Sequence, residues 1–113
     1  MRIVESAVRV EETDKLQSKG LKLYQMYSEN ELVANFILDK ERDGFYLYLE
    51  HIYRREEFRG NNVLERVVNW IFENIKPDKL TALPMEEYRP YFEKLGFKVF
   101  NVIGEDIYYY KEK

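Results

Sequence analysis

Cysteine is absent from this chain of 113 residues, and histidine occurs only once. Without cysteine the chain has no disulfide, no thiolate zinc site and no cysteine nucleophile, and a single histidine excludes a two-histidine metal site. No apolar run reaches the roughly 18 residues that a membrane span needs. The residues after Met1 lack the apolar centre of a signal peptide, so we expect a cytoplasmic protein with no membrane partner.

An excess of charge of one sign is also lacking, because 18 Lys and Arg residues against 21 Asp and Glu residues leave a net charge of −3. This balance gives no general attraction for a polyphosphate backbone, and we expect no nucleic-acid partner. Aromatic residues are abundant, with 10 Tyr, 7 Phe and 1 Trp, which argues against intrinsic disorder. The length predicts that residues 1–113 form a single domain.

Hydrophobic periodicity predicts strands first, then a helix, then further strands. The expected strands are Val4–Val10, Leu21–Tyr27, Leu32–Leu38, Phe45–Tyr53, Leu80–Leu83, Phe97–Val102 and Ile107–Tyr110. An amphipathic helix should begin near Val63 and end before Pro77, and a short helix from Pro90 to Leu95 should end at Gly96. This order predicts an α+β fold, with a mixed, mainly antiparallel sheet and a central βαβ crossover.

The strand Phe45–Tyr53 changes phase near its end. Phe45, Leu47 and Leu49 are spaced by two residues, but Ile52 follows Leu49 by three. A β-bulge at Glu50-His51 accounts for this slip, and bulges re-aim side chains and concentrate near functional sites.

The charged loop after this strand leads directly into the central helix. Free backbone N–H groups and the positive end of the helix dipole make such a junction a site for phosphate or pyrophosphate. Gly60 permits close approach of the backbone, and Arg54, Arg55 and Arg59 add positive charge. The alternative is a self-capped helix, in which Asn62 and Glu65 use the same N–H donors.

Three segments resemble the GNAT N-acetyltransferase superfamily. Glu57–Leu64 looks like its acyl-CoA loop, Arg/Gln-x-x-Gly-x-Gly/Ala, and Leu47-x-Leu49-x-x-Ile52-x-Arg54 is similar to its bulged strand. Pro90–Phe97 resembles its pFYeklGF segment. The resemblance implies a GNAT-like acyl-CoA N-acyltransferase fold, with acetyl-CoA as co-substrate. The segment Glu11–Gly20 is too short for the family's usual first two helices, so we expect the fold to lack them.

The resemblance also implies which residues bind the acyl-CoA, mainly through the backbone of the strand end, the loop and the helix start. They are Ile52, Arg54, Arg59, Gly60, Asn61, Asn62, Val63, Leu64 and Phe92. The sequence departs from the family at four of these positions, one of which is Arg54, where the family usually has a small apolar residue. Asn62 and Leu64 replace the family's glycines, and Phe92 replaces a tyrosine that often serves as general acid.

An amine acceptor needs a base, because an alkylamine with a pKa near 10.4 costs about 4.6 kcal/mol to deprotonate at pH 7. Glu50 is the first candidate because it lies at the bulge, and His51 is the alternative because its unperturbed pKa is near neutral. Tyr91 is a candidate acid toward the leaving thiolate.

These residues predict an N-acetyltransferase that acts on a primary amine. The other hypothesis is a non-catalytic acyl-CoA-binding or protein-interaction module on a degenerate GNAT fold, prompted by the replaced glycines and by Phe92. The short polar link between the first two strands should leave apolar sheet surface exposed, which predicts a homodimer.

Overall fold

The computed structural model describes residues 2–5, 21–42, 44–52 and 61–113. The strands in these ranges are β1 Arg2–Glu5, β2 Leu21–Ser28, β3 Glu31–Glu41, β4 Gly44–Ile52, β5 Lys79–Ala82, β6 Lys98–Ile103 and β7 Asp106–Glu112. The helices are α1 Asn61–Asn74 and α2 Arg89–Lys94, and a 3-10 turn at Glu86–Tyr88 leads into α2. The predicted order of strands and helices is confirmed for the described residues.

The seven strands form one sheet in the order β1-β2-β3-β4-β5-β7-β6. Neighbouring strands are antiparallel except β4 and β5, which are connected through α1 and run parallel. A parallel pair needs such a crossover because a tight turn cannot return the chain to the same end of the sheet. The predicted mixed, mainly antiparallel sheet with a central βαβ crossover is therefore confirmed.

Both helices of the described residues cover the same face of the sheet. The apolar side chains of α1 recur every three or four positions, and the buried ones are Val63, Leu64, Val67, Val68 and Ile71. Trp70 lies over β2 and β3, with its ring centroid 5.2 Å from that of Tyr24 and 6.2 Å from that of Phe36. The core lies between these helices and one face of the sheet.

Helix α1 begins at Asn61, two residues before the predicted start. Asn62 therefore lies inside the first turn, whereas a capping residue precedes the helix and has a non-helical backbone. In the alternative of a self-capped helix, Asn62 would therefore not be the capping residue. At the other end, Lys76 has a left-handed backbone with φ of 55° and its N–H donates to the Ile71 carbonyl oxygen at 3.0 Å, which ends the helix before Pro77.

Helix α2 ends as the sequence predicts. Gly96 has φ of 93°, a backbone conformation that residues with a Cβ rarely adopt, and its N–H donates to the Glu93 carbonyl oxygen at 3.1 Å. The turn brings Phe97 back onto the core, with its ring centroid 4.9 Å from that of Phe92.

Some of the predicted features lie outside the described residues. They are the first strand beyond Glu5, the link Glu11–Gly20 in place of the first two helices, and the loop residues Arg54, Arg59 and Gly60.

Candidate functional site

Strands β4 and β5 pair over only part of their course. Their register runs from Phe45↔Leu80 to Leu47↔Ala82, and β4 then continues to Ile52 paired with β3 but not with β5. Strand β5 ends at Ala82, and Pro84 follows two residues later without a backbone N–H to donate. The sheet therefore opens between β4 and β5 at the carboxyl ends of both strands.

The predicted bulge lies in the part of β4 that has left β5. Phe36 of β3 pairs with Leu49, and the preceding Asn35 pairs with His51, so Glu50 has no partner on β3. A single extra residue on one strand defines a β-bulge. The bulge is confirmed at Glu50, beside the opening, and Ile52 is the last residue of the same strand.

The start of α1 presents backbone donors at the other side of the connecting loop. Asn61 and Asn62 form its first positions, followed by Val63 and Leu64, whose side chains are 0% and 1% exposed. The first-turn N–H groups of an α-helix have no partner within the helix. Since the Leu64 side chain belongs to the core, it does not occupy the space in front of the helix start.

Tyr91 and Phe92 lie on α2, away from β4. Phe92 is fully buried against Phe97 and Tyr109 of β7, and Tyr91 is half-buried with its ring centroid 6.5 Å from that of Tyr88. Helix α2 thus packs on β7, two strand spacings or about 10 Å from β4. The structure does not bring Tyr91 next to the bulge, and Phe92 contributes its ring to the core.

Asn35 is a residue that the sequence interpretation missed. It is the register partner of His51, and no residue in the described ranges donates a hydrogen bond to its buried side-chain Oδ1. Because buried polar atoms are nearly always paired, Asn35 is a candidate to meet a ligand beside the bulge. The available signal was a single amide in the otherwise apolar segment Leu32–Leu38.

A second missed feature is the tyrosine cluster, defined here as Tyr46, Tyr48 and Tyr108. The ring centroids of Tyr46 and Tyr48 are 4.4 Å apart. Burial raises the pKa of Tyr46 to about 12, and the neighbouring Tyr48 and Tyr108 act in the same direction. Burial also raises the pKa of Tyr48, and the negative charges of Asp39 and Glu41 and the neighbouring Tyr108 raise it further.

A cavity of about 720 Å³ lies at the same end of the sheet, between the segment after β5 and the β6–β7 turn. Its apolar lining includes Leu83, Met85, Val102 and Ile107. Arg89 closes one side, where its Nη2 donates to the Glu105 carbonyl oxygen at 3.0 Å. The lining also includes the charged Glu86 and Asp106, so the cavity beside the opening has mixed polar and apolar walls.

Two further classes of site are not found in the described part of the chain. No group of three or more His, Asp or Glu side chains is placed to hold a metal ion there. No helix within the described ranges is long and apolar enough to cross a membrane.

Comparison with known proteins gives a result for structure alone. No protein-family model matches the sequence, and no curated protein matches it. Among solved structures, the N-acetyltransferase PseH of Campylobacter jejuni is similar with a TM-score of 0.72 and 11% identity, over 99% of this chain and 97% of that one.

Two further structures show the same likeness. PseH in complex with acetyl coenzyme A has a TM-score of 0.68 and 13% identity, over 86% of this chain and 71% of that one. The aminoglycoside 6'-N-acetyltransferase of Enterococcus faecium has a TM-score of 0.68 and 15% identity, over 90% and 80%. At these identities the likeness establishes a shared fold.

Proposed function

We propose that this chain, which has the fold of the GNAT N-acetyltransferases, transfers the acetyl group of acetyl-CoA to the primary amine of an acceptor. The observation that carries the proposal is the bulge at Glu50, in the part of β4 that has separated from β5. PseH of the same fold has been crystallised with acetyl coenzyme A, which supports this ligand class. The opening between the strands is the place where an acyl group and an amine would meet.

The described residues fit a diphosphate at the start of α1. The first-turn N–H groups of α1 have no partner within the helix, and the positive helix end attracts an anion. The side chains of Val63 and Leu64 are buried in the core. We assign the diphosphate to the backbone from Arg59 to Leu64, including Gly60, Asn61 and Asn62. The backbone of Ile52 and Arg54 would hold the pantetheine arm. The ring of Phe92 would support the acyl-CoA site from the core.

Acetyl-CoA would supply an acetyl group activated as a thioester. The carboxylate of Glu50 would take the proton that the acceptor amine must lose before its nitrogen forms the new C–N bond, directly or through one water. His51 is the alternative base on the same strand. Tyr91 would return a proton to the sulfur as the C–S bond breaks, and a chain of waters would have to carry it across the roughly 10 Å between α2 and β4.

Calorimetric titration with acetyl-CoA and an acetyl-transfer assay on a panel of amines test this proposal. Glu50→Gln should lower kcat by about 100-fold, because general-base catalysis contributes a factor of this order. Glu73→Gln, at an exposed position of α1, should leave kcat unchanged. Absence of acetyl-CoA binding at millimolar concentration would refute the proposal.

The second candidate function is a non-catalytic acyl-CoA-binding or protein-interaction module. Phe92 favours this function, because phenylalanine has no hydroxyl for acid catalysis and its ring is fully buried in the core. Binding of acetyl-CoA without acetyl transfer to any amine would establish this function in place of the first.

We also propose that the chain forms a homodimer through β6. This strand is at the edge of the sheet, and an unpaired edge offers N–H and C=O groups to another strand. Its exposed apolar residues are Val99, Phe100, Val102 and Ile103. A dimer mass in light scattering that becomes monomeric in Val102→Lys would support this, and a monomeric mass for the parent chain at high concentration would exclude it.

A further inference from the structure

The tyrosine cluster lies on the sheet face opposite the two helices. Along β4, Leu47 packs into the core, so its neighbours Tyr46 and Tyr48 point to the other side. Along β7, Tyr109 is in the core and Tyr108 points to the other side. The alternation of side chains therefore brings three phenol rings from two strands to one face.

The cluster surrounds the end of β5. Strand β5 separates β4 from β7, and its last residue, Ala82, pairs with Leu47 on one side and Tyr109 on the other. Tyr48 and Tyr108 are each one residue beyond these partners, in the direction in which β5 has ended. Both rings thus flank the opening between β4 and β5, Tyr48 two residues before Glu50.

The charges that act on Tyr46 and Tyr48 are negative. Asp39 is the register partner of Tyr46, and Asp106 lies two residues before Tyr108, on the same face of β7. Both carboxylates act electrostatically on the cluster, Asp106 on Tyr46 and Asp39 on Tyr48, and each raises the pKa of its tyrosine. A cation at this position would find carboxylates on two sides.

The same face already binds one ammonium group. Lys79 Nζ lies 5.2 Å from the ring centroid of Phe100 and 5.5 Å from that of Tyr110, which is cation–π geometry. In the ranges that the structure describes, no lysine or arginine lies over Tyr46, Tyr48 or Tyr108. The tyrosine cluster thus offers the same kind of aromatic ring face that holds Lys79 nearby, and it has carboxylates beside it as well.

We infer that the tyrosine cluster, with Asp39 and Asp106, binds an alkylammonium group of the acceptor, and that this acceptor carries a second amine which receives the acetyl group. A site that stabilises an ammonium opposes the loss of its proton, so the bound group and the reacting group must be different ones. Tyr48 and Glu50 are two residues apart on β4, at most about 7 Å along the strand, a distance that a short aliphatic diamine spans. The identity of this amine as acceptor rests on the proposed function, whereas its binding does not.

The test is a titration of the protein with 1,5-diaminopentane, followed by NMR of carbon-13-labelled tyrosine rings in the absence of acetyl-CoA. The ring signals of Tyr46, Tyr48 and Tyr108 should shift and saturate, and those of the core Tyr109 should stay. Asp39→Asn and Asp106→Asn should each weaken binding about threefold, as for exposed ion pairs. Tyr48→Leu should weaken it about threefold, and Tyr48→Phe less, because phenylalanine keeps the ring face.

Matched controls make the result specific. Asp78→Asn removes an exposed carboxylate after α1 and should not change the affinity. The neutral analogue 1-pentanol should not shift the cluster, and higher salt should weaken diamine binding. Equal shifts with 1-pentanol, or unchanged diamine affinity in both aspartate variants, would overturn the inference.

Acetyl transfer is measured separately, by release of the CoA thiol with the diamine and with a dilysine peptide. Transfer to either one that is faster than transfer to pentylamine supports the two-amine acceptor. The faster of the two tells whether this acceptor is a free polyamine or a protein segment. Diamine binding without acetyl-CoA binding would remove the proposed function and leave the ammonium site standing. Equal rates with 1,5-diaminopentane and pentylamine would overturn the two-amine acceptor.

Discussion

The two faces of the sheet are built from the same strands and differ in what their alternate residues do. On the helix-covered face, Leu47, Ala82 and Tyr109 of three adjacent strands are buried together in the core. On the open face, Tyr46 and Tyr110 follow the same course across the sheet but remain partly exposed. The first face forms the core, and the second carries the tyrosine cluster beside the end of β5.

The largest expected difference between the two faces is in the unfolding free energy that one phenylalanine on each face contributes. Phe92 is fully buried between α2 and β7, while Phe100 on β6 is 47% exposed. Phe92→Ala should lower the free energy of unfolding by about 3–5 kcal/mol, because it leaves a cavity in the core. Phe100→Ala should lower it by about 1 kcal/mol or less, because the ring is half in water. Denaturant unfolding of both variants checks this, and equal losses would contradict the assignment of the faces.

A smaller difference should separate two adjacent tyrosines of β7. Tyr109 is 2% exposed and its hydroxyl donates to Glu93 Oε1 at 3.1 Å, which ties β7 to α2. Tyr109→Phe should lower the free energy of unfolding by about 1 kcal/mol, because the hydrogen bond is lost. Tyr110→Phe keeps the ring under Lys79 and should change it by less than about 0.5 kcal/mol. A larger loss in Tyr110→Phe would show that the open face also carries stability.

How far the sequence predicts the molecule differs between the elements and the site. Periodicity placed β4, its bulge and α1, because each has a regular apolar pattern or a clear break in one. It missed the 3-10 turn at Glu86–Tyr88 and the first turn of α1, because Asn61 and Asn62 are polar and carry no hydrophobic signal.

The tyrosine cluster could not be found in this way, because its members come from β4 and β7. The sequence shows that Tyr46 and Tyr48 alternate with Leu47, and that Tyr108 and Tyr110 alternate with Tyr109. It does not show that β7 inserts between β5 and β6, which is decided by tertiary packing. Asn35 is a similar case, since its significance depends on its register with His51.

A further expected effect is a loss of stability at high pH. The pKa of Tyr46 is about 12 in the folded chain against 10.0 as its ordinary value, so the folded state holds more protons between these pH values. Its contribution is complete below pH 10 and is lost as the pH rises toward 12. Tyr46→Phe should flatten this fall in unfolding free energy, measured by denaturant unfolding across the range. An unchanged slope would contradict the burial of this phenol.

The short parallel seam between β4 and β5 has a consequence for the order of folding. The hairpins β2–β3, β3–β4 and β6–β7 join segments that are close along the chain, but both pairings of β5 are distant, because Phe45 of β4 lies 35 residues before Leu80 and Lys111 of β7 lies 31 residues after it. Closing such loops costs entropy before any pairing rewards it, so we expect β5 to join the sheet late. Leu80→Ala should then mainly speed unfolding and leave the refolding rate nearly unchanged. The candidate functional site, which lies at this seam, would be assembled in the last step.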